Sequence, residues 1–303
     1  MKRLSLGASA IALAISAGPA LASDLPSSGE PPPLPPEPAP YFAPAPVSNW
    51  TGFYVGLNAG GTFGGDNNIY VAAGALSSNV DAAALSATGS GTGDGNFGGF
   101  IGGGEIGRNW QLAPTIVAGV ETDIQGVAGD GGGSSFASAA PGVLAPGHTF
   151  LGSVAVSRSL NYLGTLRGRV GYLATPSLLL YATGGLAYGG TSLSSSFLGT
   201  ESKGAGVVVG ESYSGVASSS SQVGWTAGGG LEWMFARNWS AKVEYLYYDL
   251  GLVSIGGPLQ LYSERGTGYG ASQTSTQFNG HVVRAGLNYH FGSSTPAPVL
   301  AKY

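Results

Sequence analysis

The 303-residue chain contains no cysteine. That excludes disulfide staples and every cysteine-based metal site. Charge is nearly as scarce: 9% of residues are Asp, Glu, Lys or Arg, against roughly 25% in a soluble domain. A net charge of −4 gives no basic patch for nucleic acid. Long hydrophobic runs are missing too. The longest candidate, residues 4–15, is too short to cross a bilayer as a helix. A chain with too little charge for a soluble surface and no apolar helix fits a transmembrane β-barrel, whose strands alternate instead of running apolar.

What is present begins with export. Lys2 and Arg3 precede the apolar stretch, which closes on Ala20-Leu21-Ala22. These are the three parts of a secretory signal peptide, so 1–22 is expected to be cleaved and the protein to leave the cytoplasm. Residues 23–48 form a leader in which ten prolines fall between 25 and 46. Such composition favours an extended polyproline II spacer over packed structure, placed on the periplasmic side.

From residue 49 the pattern changes. In NWTGFYVGLNAGG, Thr51, Phe53, Val55, Leu57 and Ala59 share one parity, while Tyr54 and Asn58 alternate with glycines on the other. Strict period two marks a strand. Eight such segments are expected at 50–61, 96–109, 115–126, 160–174, 177–191, 222–235, 239–249 and 280–291. Turns at 109–114, 174–177 and 236–238 are tight. The gaps 62–95, 127–159, 192–221 and 250–279 are long, rich in Gly, Ser and Ala, and read as flexible loops, including GTGDGNFGG and GDGGGS. Short turns at one end and long loops at the other predict an all-β, eight-stranded antiparallel up-and-down barrel over 49–291, with loops outside the cell and turns in the periplasm. Residues 292–303 are left as a tail.

Aromatic residues collect at the expected interfaces. Trp50, Trp110, Tyr172, Trp233, Phe235, Trp239, Tyr289 and Phe291 lie at periplasmic ends; Phe100, Tyr188, Trp225 and Tyr247 lie toward the other end. Two belts of amphipathic rings mark two lipid–water boundaries. Charges within strands share the opposite parity. Glu121 and Asp123 oppose Val120 and Ile124; Arg167 and Arg169 oppose Leu166 and Val170; Lys242 and Glu244 oppose Val243 and Tyr245; Arg284 opposes Val283 and Ala285. Glu105 and Glu232 fall on the less greasy faces of their strands. Five acids and four bases are thus expected to point into the lumen, with Glu232 opposite Lys242 and Glu121 and Asp123 level with Arg167 and Arg169. One reading is a packed plug and the other a charged constriction of a narrow pore. An eight-stranded barrel is only wide enough for its side chains, which favours the plug.

NWTGFYVGLNAGG, VEYLYYDLG at 243–251 and VVRAGLNYHF at 282–291 resemble the small outer-membrane barrels of alphaproteobacteria, the RopB-like surface antigens and the OmpA-like barrel. The resemblance implies an eight-stranded barrel with a structural or surface role, sometimes described as porin-like. It also implies that Arg284, Gly286, Tyr289 and Phe291 form the signal read by the barrel-insertion machinery, although here GSSTPAPVLAKY follows Phe291.

Catalysis finds little support. A hydrolytic site would place His near Ser and a carboxylate at the outer rim. His148 falls in a loop, His281 at an outer strand edge beside the loop residues Ser272 and Ser275, and His290 near the periplasm. No cofactor or metal is expected. The NWT and NWS sequons at 49 and 238 sit at periplasmic turns. The expected function is a structural barrel that supports the outer membrane and displays surface loops. The alternatives are a narrow porin for small solutes, or loop-mediated ligand binding or adhesion. Expected partners are outer-membrane lipid, lipopolysaccharide, the assembly machinery and an unidentified surface-loop ligand.

Overall fold

The computed structural model describes residues 49–65, 68–78, 81–94, 98–129 and 131–291. The expected signal peptide at 1–22, the Pro-rich leader at 23–48 and the tail at 292–303 lie outside the described residues. Eleven strands and one short helix follow in order: β1 (Gly52–Gly64), β2 (Asn68–Ala75), α1 (Ala82–Gly89), β3 (Gly91–Asp94), β4 (Gly98–Ala113), β5 (Ile116–Ala128), β6 (Gly131–Pro141), β7 (His148–Thr175), β8 (Leu178–Lys203), β9 (Val207–Ala236), β10 (Trp239–Ser263) and β11 (Gly266–His290). Eight of them, β1, β4, β5, β7, β8, β9, β10 and β11, close antiparallel into a ring when β11 pairs back onto β1. These are the eight strands the alternation predicts.

The strands run much farther than expected on the outer side. β7 to β11 span 25 to 30 residues each, so most of the gaps 127–159, 192–221 and 250–279 is sheet and not loop. The reason is parity. Above the lipid the inward face carries apolar residues and the outward face serines, so composition looks like loop while the alternation persists. β2, β3 and β6 were also unforeseen. They take the place of β1, β4 and β5 in this upper part: β2 pairs β11, β3 pairs β2, and β6 pairs β7. β3 then meets β6 by close packing, since a methyl on Gly91 would strike the Phe136 ring and one on Gly93 the Ser134 hydroxyl. The result is a tower standing on the membrane ring. Both glycine runs therefore contribute strand, at Gly91–Asp94 and from Gly131.

Helix α1 packs on β2, β6, β7 and β8. Asp81 caps it by accepting from Ala84 N at 3.1 Å, a standard N-cap bond. Its other oxygen accepts from Val143 and Leu144 N at 2.6 and 2.8 Å. One buried carboxylate thus ties α1 to the β6–β7 connection.

Lipid-facing residues define the buried band. From Trp225 to Trp233 on β9 the height is about 20 Å at ~3.3 Å per residue and a ~40° tilt, close to the roughly 25 Å apolar band of such barrels. Phe53, Val55, Leu57, Val120, Ile124, Leu166, Val170, Leu186 and Val243 are exposed on this wall.

Candidate functional site

The lumen of the membrane ring holds the nine predicted charges together. Glu105, Glu121, Asp123, Arg167, Arg169, Glu232, Lys242, Glu244 and Arg284 are all 5% exposed or less. Alternation explains the convergence, because their neighbours of opposite parity face lipid. Arg167, at the centre, pairs with Glu121, with Asp123 at 2.8 Å and with Glu244 at 2.8 Å. Arg284 bridges Asp123 at 2.8 Å and Glu244 at 2.5 Å. Lys242 reaches Glu105 at 2.7 Å and Glu121 at 3.0 Å. Arg169 reaches Glu232 at 2.6 Å.

Glu232 on β9 stands opposite Lys242 on β10 as expected, but opposition in register does not make them an ion pair. Each ion-pairs elsewhere. In a closed lumen a side chain reaches across the barrel as easily as along the sheet, so register alone did not choose the partner. Arg167 does sit opposite Glu121.

Neutral groups complete the network. Tyr54 OH donates to Glu121 at 2.6 Å, Tyr181 OH to Glu244 at 3.1 Å, Asn58 to Glu105 at 2.9 Å, Asn288 to Glu232 at 2.9 Å and Thr165 to Asp123 at 2.9 Å. Each lies on the inward parity, which is the signal that could have found them. Glycine makes the room. A Cβ on Gly60 would fall 2.6 Å from the Arg284 Cα. Gly286, named for assembly, also leaves space inside: its Cβ would meet the Lys242 stem at 3.1 Å.

Glu105, Glu121 and Asp123 lie close enough to suggest a metal site, but Lys242, Arg167 and Arg284 already occupy that space. His290 Nε2 contacts Ser240 Oγ at 2.8 Å and Glu232 at 3.3 Å, and Ser240 also reaches Glu232 at 2.6 Å. A triad needs acid and serine on different ring nitrogens; here they crowd the same one. His148 and His281 stand elsewhere, the first against Glu201 at 2.8 Å in the tower, the second bonded to Tyr245 at 2.7 Å and stacked on Phe63 on the outer wall.

Trp50 corrects the aromatic belt. It is 1% exposed and packs with Val117, Leu173, Leu179, Tyr181 and Met234, donating through Nε1 to Pro176 O at 3.1 Å. The residue precedes β1, so the chain folds under the barrel and closes its periplasmic mouth. Trp110, Tyr172, Trp225, Trp233, Phe235 and Trp239 lie exposed on the wall. Arg108, missed as an outward charge, rests over Phe53 at 4.8 Å and Trp110 at 5.1 Å, its stem on the wall and its head at the boundary. Tyr289 and Phe291 pack edge to face at 5.0 Å, and Phe291 N donates to Phe53 O at 2.8 Å, at the seam where β11 meets β1.

The tower lumen is of another kind. Ile69, Val71, Leu85, Val154, Val156, Leu193, Phe197, Val253, Ile255 and Leu259 form its core. Arg158, read as a loop residue, lies inside it, donating to Thr276 at 2.7 Å and resting over Phe278 at 4.9 Å.

The outer membrane protein beta-barrel domain family matches residues 38–291. A 31 kDa outer-membrane immunogenic protein of Brucella melitensis is 35% identical over 257 residues, 84% of this chain and 88% of that one. A 22 kDa outer membrane protein of Rhizobium leguminosarum is 29% identical over 208 residues, 67% of this chain and 66% of that one. Among solved structures, OprG from Pseudomonas aeruginosa aligns over 81% of this chain and 99% of its own at 10% identity, with a TM-score of 0.37.

Proposed function

The chain belongs to the outer-membrane β-barrel family, and from that premise we propose that it is a closed structural barrel, working through its wall and its surface tower and not through its lumen. The observation that carries this reading is the stack of seals along the axis. Trp50 and its apolar neighbours fill the periplasmic mouth, nine paired charges fill the middle, and the apolar core fills the tower. A conducting pore needs a hydrated path, and here each cation contacts at least one carboxylate within 2.8 Å. The protein is read as non-catalytic because the buried Ser240–His290 contact has the wrong connectivity for a triad.

Its partners in this reading are outer-membrane lipid and lipopolysaccharide along the wall. During biogenesis the assembly machinery reads Arg284, Gly286, Tyr289 and Phe291. Single-channel recording of the purified protein in planar bilayers tests the proposal. Negligible conductance is expected. Steady ion-selective openings that Arg167→Ala alters while the barrel stays folded would instead establish the narrow porin.

A further inference from the structure

Above the upper aromatic girdle, water and not lipid meets the outer wall. Its first residues are hydroxyl-rich. Asn161 donates to Ser192 at 3.0 Å, Ser192 bonds Ser219 at 3.0 Å, and Tyr162 bonds Ser221 at 3.0 Å. Higher up, the register sets Leu198 beside Tyr213, Tyr213 beside Gln260 and Gln260 beside Tyr269. Four outward side chains therefore stand abreast on β8 to β11. Tyr262 joins them one outward position along β10, its ring 6.2 Å from that of Tyr213 and 16° from parallel. Tyr213, Tyr262 and Tyr269 are 47%, 45% and 61% exposed.

This surface is built as well as exposed. The hydroxyls of Tyr213 and Tyr262 both donate to Gln260 Oε1, at 2.6 and 3.1 Å. Those bonds fix two rings in one platform and engage the amide oxygen, which leaves the amide N–H groups to a partner. Tyr213 lies about 30 Å above Trp225 at ~3.3 Å per residue and ~40° tilt, well clear of lipid.

The chemistry narrows the occupant. Flat aromatic faces suit the apolar C–H face of a pyranose ring, and an amide donor suits its hydroxyls. Leu198, Thr200, Tyr213, Gln260, Tyr262 and Tyr269 carry no charge, and the neighbouring Glu211 would repel an anionic chain. A peptide adding as a strand needs an open sheet edge; at this height β8, β9 and β10 are paired on both sides, and the Tyr269 carbonyl on β11 is taken by Leu76 and Ser77 N. We propose that this tyrosine platform binds a neutral glycan chain at the cell surface, one sugar over the Tyr213–Tyr262 pair and the next toward Tyr269.

Full-length protein in nanodiscs tests this by saturation-transfer NMR and biolayer interferometry. One probe is the polysaccharide freed by mild acid from the producing cell's own lipopolysaccharide; the other is a neutral N-acetyllactosamine oligosaccharide of host type. Saturable binding of either, with transfer to ring C–H protons, is expected, and the probe that binds identifies the source. Tyr213→Ala and Tyr262→Ala should weaken it roughly tenfold, the worth of one aromatic stacking contact, while Tyr213→Phe keeps the ring and most of the affinity. Gln260→Ala gives an independent variant should an alanine change at tyrosine lose the heat-modifiable fold. The proposal is overturned if neither probe saturates, if folded variants bind like the parent, or if dextran sulfate binds better than both. It is equally overturned if sedimentation finds a dimer that Tyr213→Ala dissociates, for then the platform's occupant is a second copy.

Discussion

The two cores of this barrel are made of opposite materials. In the membrane ring the interior is ionic and the outside apolar; in the tower the interior is apolar and the outside hydroxylic. A single strand carries both. On β7, Leu166 and Val170 face out while Arg167 and Arg169 face in; farther along, Val154 and Val156 face in while Ser153 and Ser157 face out. The solvent outside dictates the exchange. Lipid accepts the greasy face and leaves polar groups to the lumen, whereas water above the lipid restores the ordinary order. β7 and β10 cross the boundary with an irregularity, between Leu160 and Tyr162 and between Asp249 and Leu252. On β10 the break contains Gly251 at a φ of 85°, a left-handed conformation that only glycine takes without cost.

The largest effect should follow from taking away the room that the ionic core requires. Gly60→Leu would drive a side chain into the Arg284 backbone and should abolish barrel closure, seen as loss of the heat-modifiable band. Next comes an uncompensated charge. Arg167→Ala leaves Glu121, Asp123 and Glu244 short of a partner and should cost about 3–5 kcal/mol. Adding Glu121→Ala should recover part of that loss, and a double-mutant cycle by urea unfolding in micelles reads the coupling.

The tower should respond separately. Phe197→Ala empties part of the upper core and should cost about 3 kcal/mol. If the cores are distinct, this variant keeps the heat-modifiable ring while trypsin cuts the tower of intact cells faster, first at the exposed Lys203 beside the 204–206 turn. Equal loss of both would show one cooperative core. Asp81→Ala has the smallest expected effect, about 1–2 kcal/mol for a lost cap, and should appear as faster amide exchange in α1 and at Val143 and Leu144, whose N–H groups lose their acceptor.

Much of this was legible without coordinates. The eight ring strands follow from period two, and the nine lumen charges follow from parity, because lipid leaves an ionic group one direction to point. The limits are equally physical. Glu232 faced Lys242 in register but paired with Arg169, since partner choice in a filled lumen depends on reach across the ring. Trp50 reads as a belt residue because it precedes a strand beside aromatics; only the fold shows the chain turning beneath the barrel. The outer segments read as loops because glycine and serine dilute their alternation, and their apolar inward residues find one another only once the ring brings five long strands together. Alternation along each ring strand settles which face meets lipid, because it is local and the bilayer is a uniform partner. The partner of each buried charge, the seal at Trp50, the second core and the tyrosine platform arise only in the closed barrel, because each depends on residues distant along the chain and adjacent only when it closes.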